Sequence, residues 1–423
     1  MSNIQQVCDE LSHQINKKPS PNGRRASFRP PFCEVEFISS DEDDDDDEVE
    51  GFRTSSSFTS LSINDQSSDD NCQELISPVE LKSEIRLSKK LEKFIESSRK
   101  TVANVISGND NRLLVVVGPC SIHSVEGALA YARRLKAVVN KFPNLVIIMR
   151  SYFEKPRTTV GWKGLINDPN LDNSCQIETG LRIARGLLLQ ITQIGLPLAI
   201  ELLDTISPQY LSDLIVWGAI GARTTESQLH RELASATAHP VGFKNGTDGS
   251  VKVAIDAMKS ARSPHTFMGI DSRGRASVIK SHGNNDVHVI LRGGSKGTNY
   301  DQASVAETHS KLLELQGNHH PSIMIDCSHG NSCKDYRNQP NVVKAICEQL
   351  SNVSDKGSIN GVMIESNIFE GRQDIPKDGP VNLKFGVSIT DGCVSFEQTV
   401  QMLDDLEKAM RKRRQTLEDQ SNC

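Results

Sequence analysis

Leu113-Leu114-Val115-Val116-Val117-Gly118-Pro119-Cys120-Ser121-Ile122-His123 sets five large aliphatic side chains against a Gly-Pro turn, then a thiol and an imidazole. The aliphatic run is too short for a helix and half β-branched, so it reads as a buried strand whose end delivers reactive side chains. Seven more such runs follow: Leu145 to Met149, Leu198 to Leu203, Leu214 to Ile220, Val241 to Phe243, Val287 to Leu291, Ile323 to Ile325 and Gly361 to Ile364. Amphipathic stretches lie between most of them, for example Val125 to Val139, Ile177 to Ile194, Glu226 to Ala236, Val251 to Ala261, Ala303 to Leu315 and Val342 to Leu350.

Eight strand-helix units in roughly 250 residues predict an α/β fold, a (β/α)8 barrel with a parallel sheet. Thr266 to Ile270 and Ala276 to Ile279, joined around Ser272-Arg273-Gly274, read as a β-hairpin inserted in that rhythm, within about 265–285. Upstream, Leu81, Ile85, Leu87, Leu91, Phe94, Ile95, Val102 and Ile106 recur at helical steps and predict a helix over Glu80 to Ile106. A last helix is expected from Phe396 to Met410, followed by the basic Arg411 to Arg414. The expected organisation is a tail over 1–75, a helical extension over 76–110, the barrel over 111–415 and a short end over 416–423.

The tail is polar and of low complexity, and it is expected to be disordered. Asp41 to Glu50 holds nine acidic residues in ten, while Ser27 after two arginines and Ser39-Ser40 before the acids fit kinase acceptor patterns. The net charge of -6 hides this: without that block, 48 basic residues stand against 45 acidic ones. A near-neutral body excludes a strongly basic nucleic-acid binder. No apolar stretch has the ~20 residues that span a bilayer, the first 30 residues lack a signal-peptide core, and ten scattered cysteines without framework spacing read as reduced thiols. A cytoplasmic protein without membrane or nucleic-acid partners is expected.

In a (β/α)8 barrel the residues after each strand share one rim, where active sites form. Two sets emerge there. Arg150, Lys155, Arg157, Arg223, Lys244 and Arg292 are cations that would repel one another without an anion between them, and arginine forks suit phosphate and carboxylate. Cys120, His329, Glu365 and Asp391 offer a thiolate, an imidazole and two carboxylates, a mixed set suited to one divalent metal: Fe, Co, Cu or Zn by the softer ligands, Mn by the carboxylates. Taken singly, Cys120 fits a buried small apolar residue and each arginine a surface ion pair; their shared rim is what favours a site.

The motifs Gly118-Pro119-Cys120-Ser121-Ile122-His123, Lys155-Pro156-Arg157-Thr158-Thr159-Val160-Gly161-Trp162-Lys163-Gly164, Gly218-Ala219-Ile220-Gly221-Ala222-Arg223-Thr224-Thr225-Glu226-Ser227, Gly242-Phe243-Lys244-Asn245-Gly246-Thr247-Asp248-Gly249 and Leu291-Arg292-Gly293-Gly294 resemble those of class I 3-deoxy-D-arabino-heptulosonate 7-phosphate (DAHP) synthases of the short bacterial and fungal type. The resemblance runs from about Leu87 to Arg413. It implies a metal-dependent barrel enzyme that condenses phosphoenolpyruvate with erythrose 4-phosphate, the first step of the shikimate pathway. It further implies Cys120, His329, Glu365 and Asp391 as metal ligands, Arg150, Arg223, Lys244 and Arg292 on phosphoenolpyruvate, Arg157 and Thr158 on the erythrose phosphate, and Lys155 between the substrates as the proton donor, with Cys120 and Lys155 as the catalytic pair. Relatives are inhibited by aromatic amino acids at a cavity near the hairpin; Pro208, Ala238 and Gly269 are the positions implied there. A homodimer or homotetramer is also implied. Two other readings stand beside it: a catalytically silent homologue serving as a regulatory subunit, and a related phosphoenolpyruvate-condensing sugar-acid synthase.

Overall fold

The computed structural model describes residues 72–154, 161–315, 320–352, 359–376 and 379–421. The acidic tail with Ser27, Ser39 and Ser40, and the predicted site residues Lys155, Arg157 and Thr158, lie outside the described residues.

The strands are β1 (Leu113–Gly118), β2 (Leu145–Arg150), β3 (Leu198–Glu201), β4 (Trp217–Ile220), β5 (Val241–Lys244), β6 (Thr266–Ile270), β7 (Ala276–Lys280), β8 (Val287–Leu291), β9 (Ile323–Asp326) and β10 (Ile359–Glu365). Eight of them close in the order β1-β10-β9-β8-β5-β4-β3-β2. All neighbours in that ring pair in parallel. The expected (β/α)8 barrel is therefore present. Its strands are buried along almost their whole length, as they must be when helices cover one face and side chains fill the other. Closure sets Gly118 of β1 beside Glu365 of β10, which brings the two ends of the ring to one place on the rim.

Around the ring run α1 (Pro78–Glu84), α2 (Lys89–Ile106), α3 (Val125–Val139), α4 (Ile177–Ile194), α5 (Pro208–Leu211), α6 (Gln228–Ser235), α7 (Lys252–Arg262), α8 (Gln302–Leu313), α9 (Gln339–Leu350) and α10 (Phe396–Ser421). The hairpin is as expected: β6 and β7 pair antiparallel from Thr266↔Lys280 to Ile270↔Ala276. Asp271 organises its turn by accepting from the backbone N–H of Arg273 and Arg275 at 2.8 and 3.0 Å, and Gly274 takes φ +76°, which favours glycine.

Three expectations change. The single helix over Glu80 to Ile106 is two, because the Ile85 carbonyl is taken by the Arg185 guanidinium at 3.0 Å and Ser88 caps a new helix by accepting from Leu91 N–H. The apolar period runs through the break because Leu81 and Ile95 are buried in the same core. The strand expected from Leu214 begins at Trp217. Ser212–Leu214 form a 3-10 turn whose Ser212 and Ile215 carbonyls accept from Arg99 at 2.6 and 2.8 Å, so they are bonded to a side chain at these distances. Finally, the last helix continues past Met410 to Ser421 and includes Arg411 to Arg414. Arg414 donates to Asn144 Oδ1 at 2.6 Å and Arg411 pairs with Glu407, so the basic stretch is anchored to the barrel and to its own helix.

Candidate active site

Four of the predicted site residues fall at or just past a strand end because the strands stop there: Arg150 ends β2, Lys244 ends β5, Arg292 follows β8 and Glu365 ends β10. Cys120 lies two residues beyond β1. Its Sγ and carboxylate oxygens of Glu365 and Asp391 lie within 4.8 Å of one another. Cys120 and Glu365 are buried and Asp391 is exposed, so the group reaches from the barrel interior to the surface. Gln339 fixes Glu365 from behind, its amide donating to Glu365 O and accepting from Glu365 N, both at 2.9 Å.

His329 stands beside this group. Its Nε2 lies 4.0 Å from Glu365 Oε1, and its Nδ1 lies 2.9 Å from Asp326 Oδ2. With a proton on Nδ1 donated to Asp326, the Nε2 lone pair is the one left for a ligand. The His329 backbone holds φ +56°, which a non-glycine residue rarely takes. Asp326 is fully buried and also receives Lys244 Nζ at 2.9 Å. Burial by itself would raise its pKa, but the Lys244 charge and then His329 outweigh that and hold it well below the usual carboxylate range. Burial, and next the Lys244 charge, push the His329 pKa down, which favours the neutral ring a metal requires.

Among the described cations, Arg150, Lys244, Arg223 and Arg292 lie near the same group. Arg150 is buried to 1% exposure and donates to Pro119 O, Cys120 O and Glu365 Oε1 at 3.0 to 3.1 Å, with its guanidinium 3.6 Å from the Tyr152 ring centroid. Burial lowers the Arg292 pKa; among charges, Asp326 opposes this, Arg223 adds to it, and Glu365 and Asp391 oppose it, so all five lie within electrostatic reach. Buried amides set the loops: Asn245 accepts from Arg292 N–H at 2.7 Å and donates to Gly293 O, and Asn331 donates to Leu291 O and Asp326 O. Gly293, at φ +71°, has Asn331 N where a Cβ would stand, 2.6 Å away. Asp326, Asn245, Asn331 and Gln339 escaped sequence reasoning; Asp326 had a signal, since it ends an apolar strand at the same rim.

Pro208, Ala238 and Gly269 come together elsewhere. They line one cavity of about 670 Å3 with Phe267, Leu233 and Ile279, between the hairpin and the segments carrying α5 and α6.

Residues 84–404 match the model of the DAHP synthetase I family. The chain belongs to that family. A tyrosine-inhibited phospho-2-dehydro-3-deoxyheptonate aldolase of Schizosaccharomyces pombe is 54% identical over 338 residues, 79% of this chain and 90% of that protein. The phenylalanine-inhibited aldolase of the same name from Saccharomyces cerevisiae is 52% identical over 81% of this chain and 93% of that protein. A solved phospho-2-dehydro-3-deoxyheptonate aldolase from Francisella tularensis SCHU S4 superposes with a TM-score of 0.77 at 51% identity, covering 81% of this chain and 98% of the other. Among the described residues, no helix is long and apolar enough to cross a membrane.

Proposed function

We propose that this chain condenses phosphoenolpyruvate with D-erythrose 4-phosphate and water to give 3-deoxy-D-arabino-heptulosonate 7-phosphate and inorganic phosphate. The observation that carries this is the meeting, on one rim of a barrel of this family, of a thiol-carboxylate group with arginine and lysine side chains at the ends of β2, β5 and β8. Cys120, Glu365 and Asp391 already converge, and His329 is oriented by Asp326 to present Nε2, so the donor set fits one divalent metal. When bound, such an ion supplies Lewis acidity toward the aldehyde oxygen.

The chain's own residues do the rest. Arg150, Arg223, Lys244 and Arg292 hold the phosphate and carboxylate of phosphoenolpyruvate, while Arg157 and Thr158 hold the phosphate of the aldose. C3 of phosphoenolpyruvate attacks the aldehyde carbon, Lys155 gives the new alkoxide its proton, water adds at C2, and phosphate leaves by C–O cleavage. Lys155 takes that role in this reading because an ammonium group beside the new alkoxide can give it a proton. Relatives carry tyrosine- or phenylalanine-inhibited in their names; the cavity at Pro208, Ala238 and Gly269 is the place proposed for an aromatic amino acid here. A cytoplasmic homodimer or homotetramer completes the reading, and sedimentation velocity tests the assembly.

One assay tests the whole: phosphate release from phosphoenolpyruvate with erythrose 4-phosphate or arabinose 5-phosphate, with Mn2+, with EDTA, and with each aromatic amino acid. Release with erythrose 4-phosphate alone, abolished by EDTA, is expected. Silence under every condition overturns it in favour of a regulatory subunit.

A further inference from the structure

Between Gly164 and α4 the chain reads Asp168-Pro169-Asn170-Leu171-Asp172-Asn173-Ser174, with an oxygen-bearing side chain at every second position. That is the spacing of the first half of a calcium-binding loop, where positions 1, 3 and 5 supply side-chain oxygens and position 6 turns sharply, usually as glycine. Position 6 here is Asn173 at φ +62°, so it meets the same backbone requirement.

The second observation is an orphaned atom. Asp168 is 6% exposed, its N–H donates to Gly164 O at 2.9 Å, and its carbonyl accepts from Trp162 Nε1 at 2.8 Å. Its Oδ2 accepts from Asn173 N–H at 3.2 Å, while its Oδ1 is buried with no hydrogen-bond partner among the described residues. A buried carboxylate oxygen without a donor is costly, and the side chain that reaches Asp168 is another acceptor, the Asp172 carboxylate. Two carboxyl groups in contact share either a proton or a cation. Hydrogen bonds from Ser174 chiefly lower the Asp172 pKa, so that group carries its charge at neutral pH.

We propose that Asp168 and Asp172, with Asn170, bind a hard cation of the calcium class, separate from the thiol-containing centre. Oxygen donors alone, without sulfur or imidazole, exclude the softer transition metals. Position 12 of the pattern is Thr179 rather than a bidentate Glu, so the affinity expected is weak, on the order of 0.1 to 1 mM. The cation braces the turn from Gly164 to Asp168, where Gly164 packs so closely that a Cβ would stand 2.3 Å from Phe153 O.

Terbium luminescence on the full, EDTA-stripped chain tests this, because Trp162 is hydrogen-bonded to Asp168 and is one of only two tryptophans. Tryptophan excitation is expected to give sensitised Tb3+ emission that Ca2+ displaces in the millimolar range. Asp172→Asn, at an exposed position, should weaken it by about tenfold through loss of one negative charge, Asn170→Ala by a similar factor through loss of one oxygen ligand, and Trp162→Phe should remove the sensitisation. Cys120→Ala and Asp391→Asn should leave it intact. Absence of emission, emission indifferent to Asp172→Asn, or emission lost with Asp391→Asn each overturns the site; the third outcome would place the ion at the barrel rim.

Discussion

Asp326 is one buried carboxylate serving three residues: Oδ2 meets Lys244 Nζ and His329 Nδ1, each at 2.9 Å, and Oδ1 accepts from Ser328 N–H and Oγ–H at 3.0 and 2.7 Å. Asp326→Asn keeps the shape but removes the charge that orients the imidazole and compensates the lysine. Metal affinity should fall about 10- to 100-fold, read by competition with a chromophoric chelator; unchanged affinity would remove Asp326 from the site. Cys120→Ala should go further and leave protein without stoichiometric metal after dialysis, measured by elemental analysis, with phosphate release lost in parallel. Retention of full metal content would refute Cys120 as a ligand. The ligands and cations at strand ends were legible because each stands directly after an apolar run, so the barrel's own logic gathers them. Asn245, Asn331 and Gln339 were not, because their work is to bond backbone atoms as much as 48 residues away, which no local pattern records.

At the scale of elements, the hairpin and the segments carrying α5 and α6 enclose the cavity that holds Pro208, Ala238 and Gly269. A Cβ on Gly269 would meet Ile279 Cγ1 at 2.8 Å, so a valine there must displace that side chain and fill the cavity from the β6 side. Gly269→Val should therefore raise the half-inhibitory concentration of the effective aromatic amino acid by about tenfold or more, ~1.4 kcal/mol of lost binding, with turnover in its absence retained. Inhibition curves for wild type and variant decide it; unchanged inhibition would place the effector elsewhere. The hairpin was readable from its turn residues and alternating flanks. The helix break after Glu84 was not, because Arg185, one hundred residues on, takes the Ile85 carbonyl. Arg99 likewise explains why β4 starts at Trp217, by a bond made across more than a hundred residues. Element existence follows local periodicity, whereas these boundaries are set by long-range side-chain donors.

For the molecule as a whole, the sequence average of -6 conceals a basic rim and an acidic block, but the charges that govern acid stability are ones the barrel keeps neutral. His239 and His288 are fully buried. Trp217 Nε1 donates to His288 Nε2 at 3.0 Å, and His239 Nδ1 faces Pro240 O at 3.1 Å. Burial lowers both pKa values from 6.5 to about 4. In the unfolded chain these rings take up protons below pH 6.5, whereas in the fold they resist until about pH 4. Stability is thus fully present above pH 6.5 and is lost as pH falls toward 4, by roughly 2 kcal/mol for each ring at pH 5 relative to neutrality. Denaturant unfolding at pH 7.5, 6 and 5 should show that decline. His288→Gln retains an acceptor for Trp217 but cannot titrate, so it should start less stable at neutral pH and decline with a shallower slope. Parallel slopes for wild type and His288→Gln would remove His288 as a source of the acid sensitivity; Asp326, whose pKa is held well below the usual carboxylate range, withdraws stability only below about pH 4, outside this window. Asp326→Asn in the same titration should leave the decline between pH 7.5 and 5 in place, because both buried imidazoles remain and the Asp326 carboxylate does not titrate there.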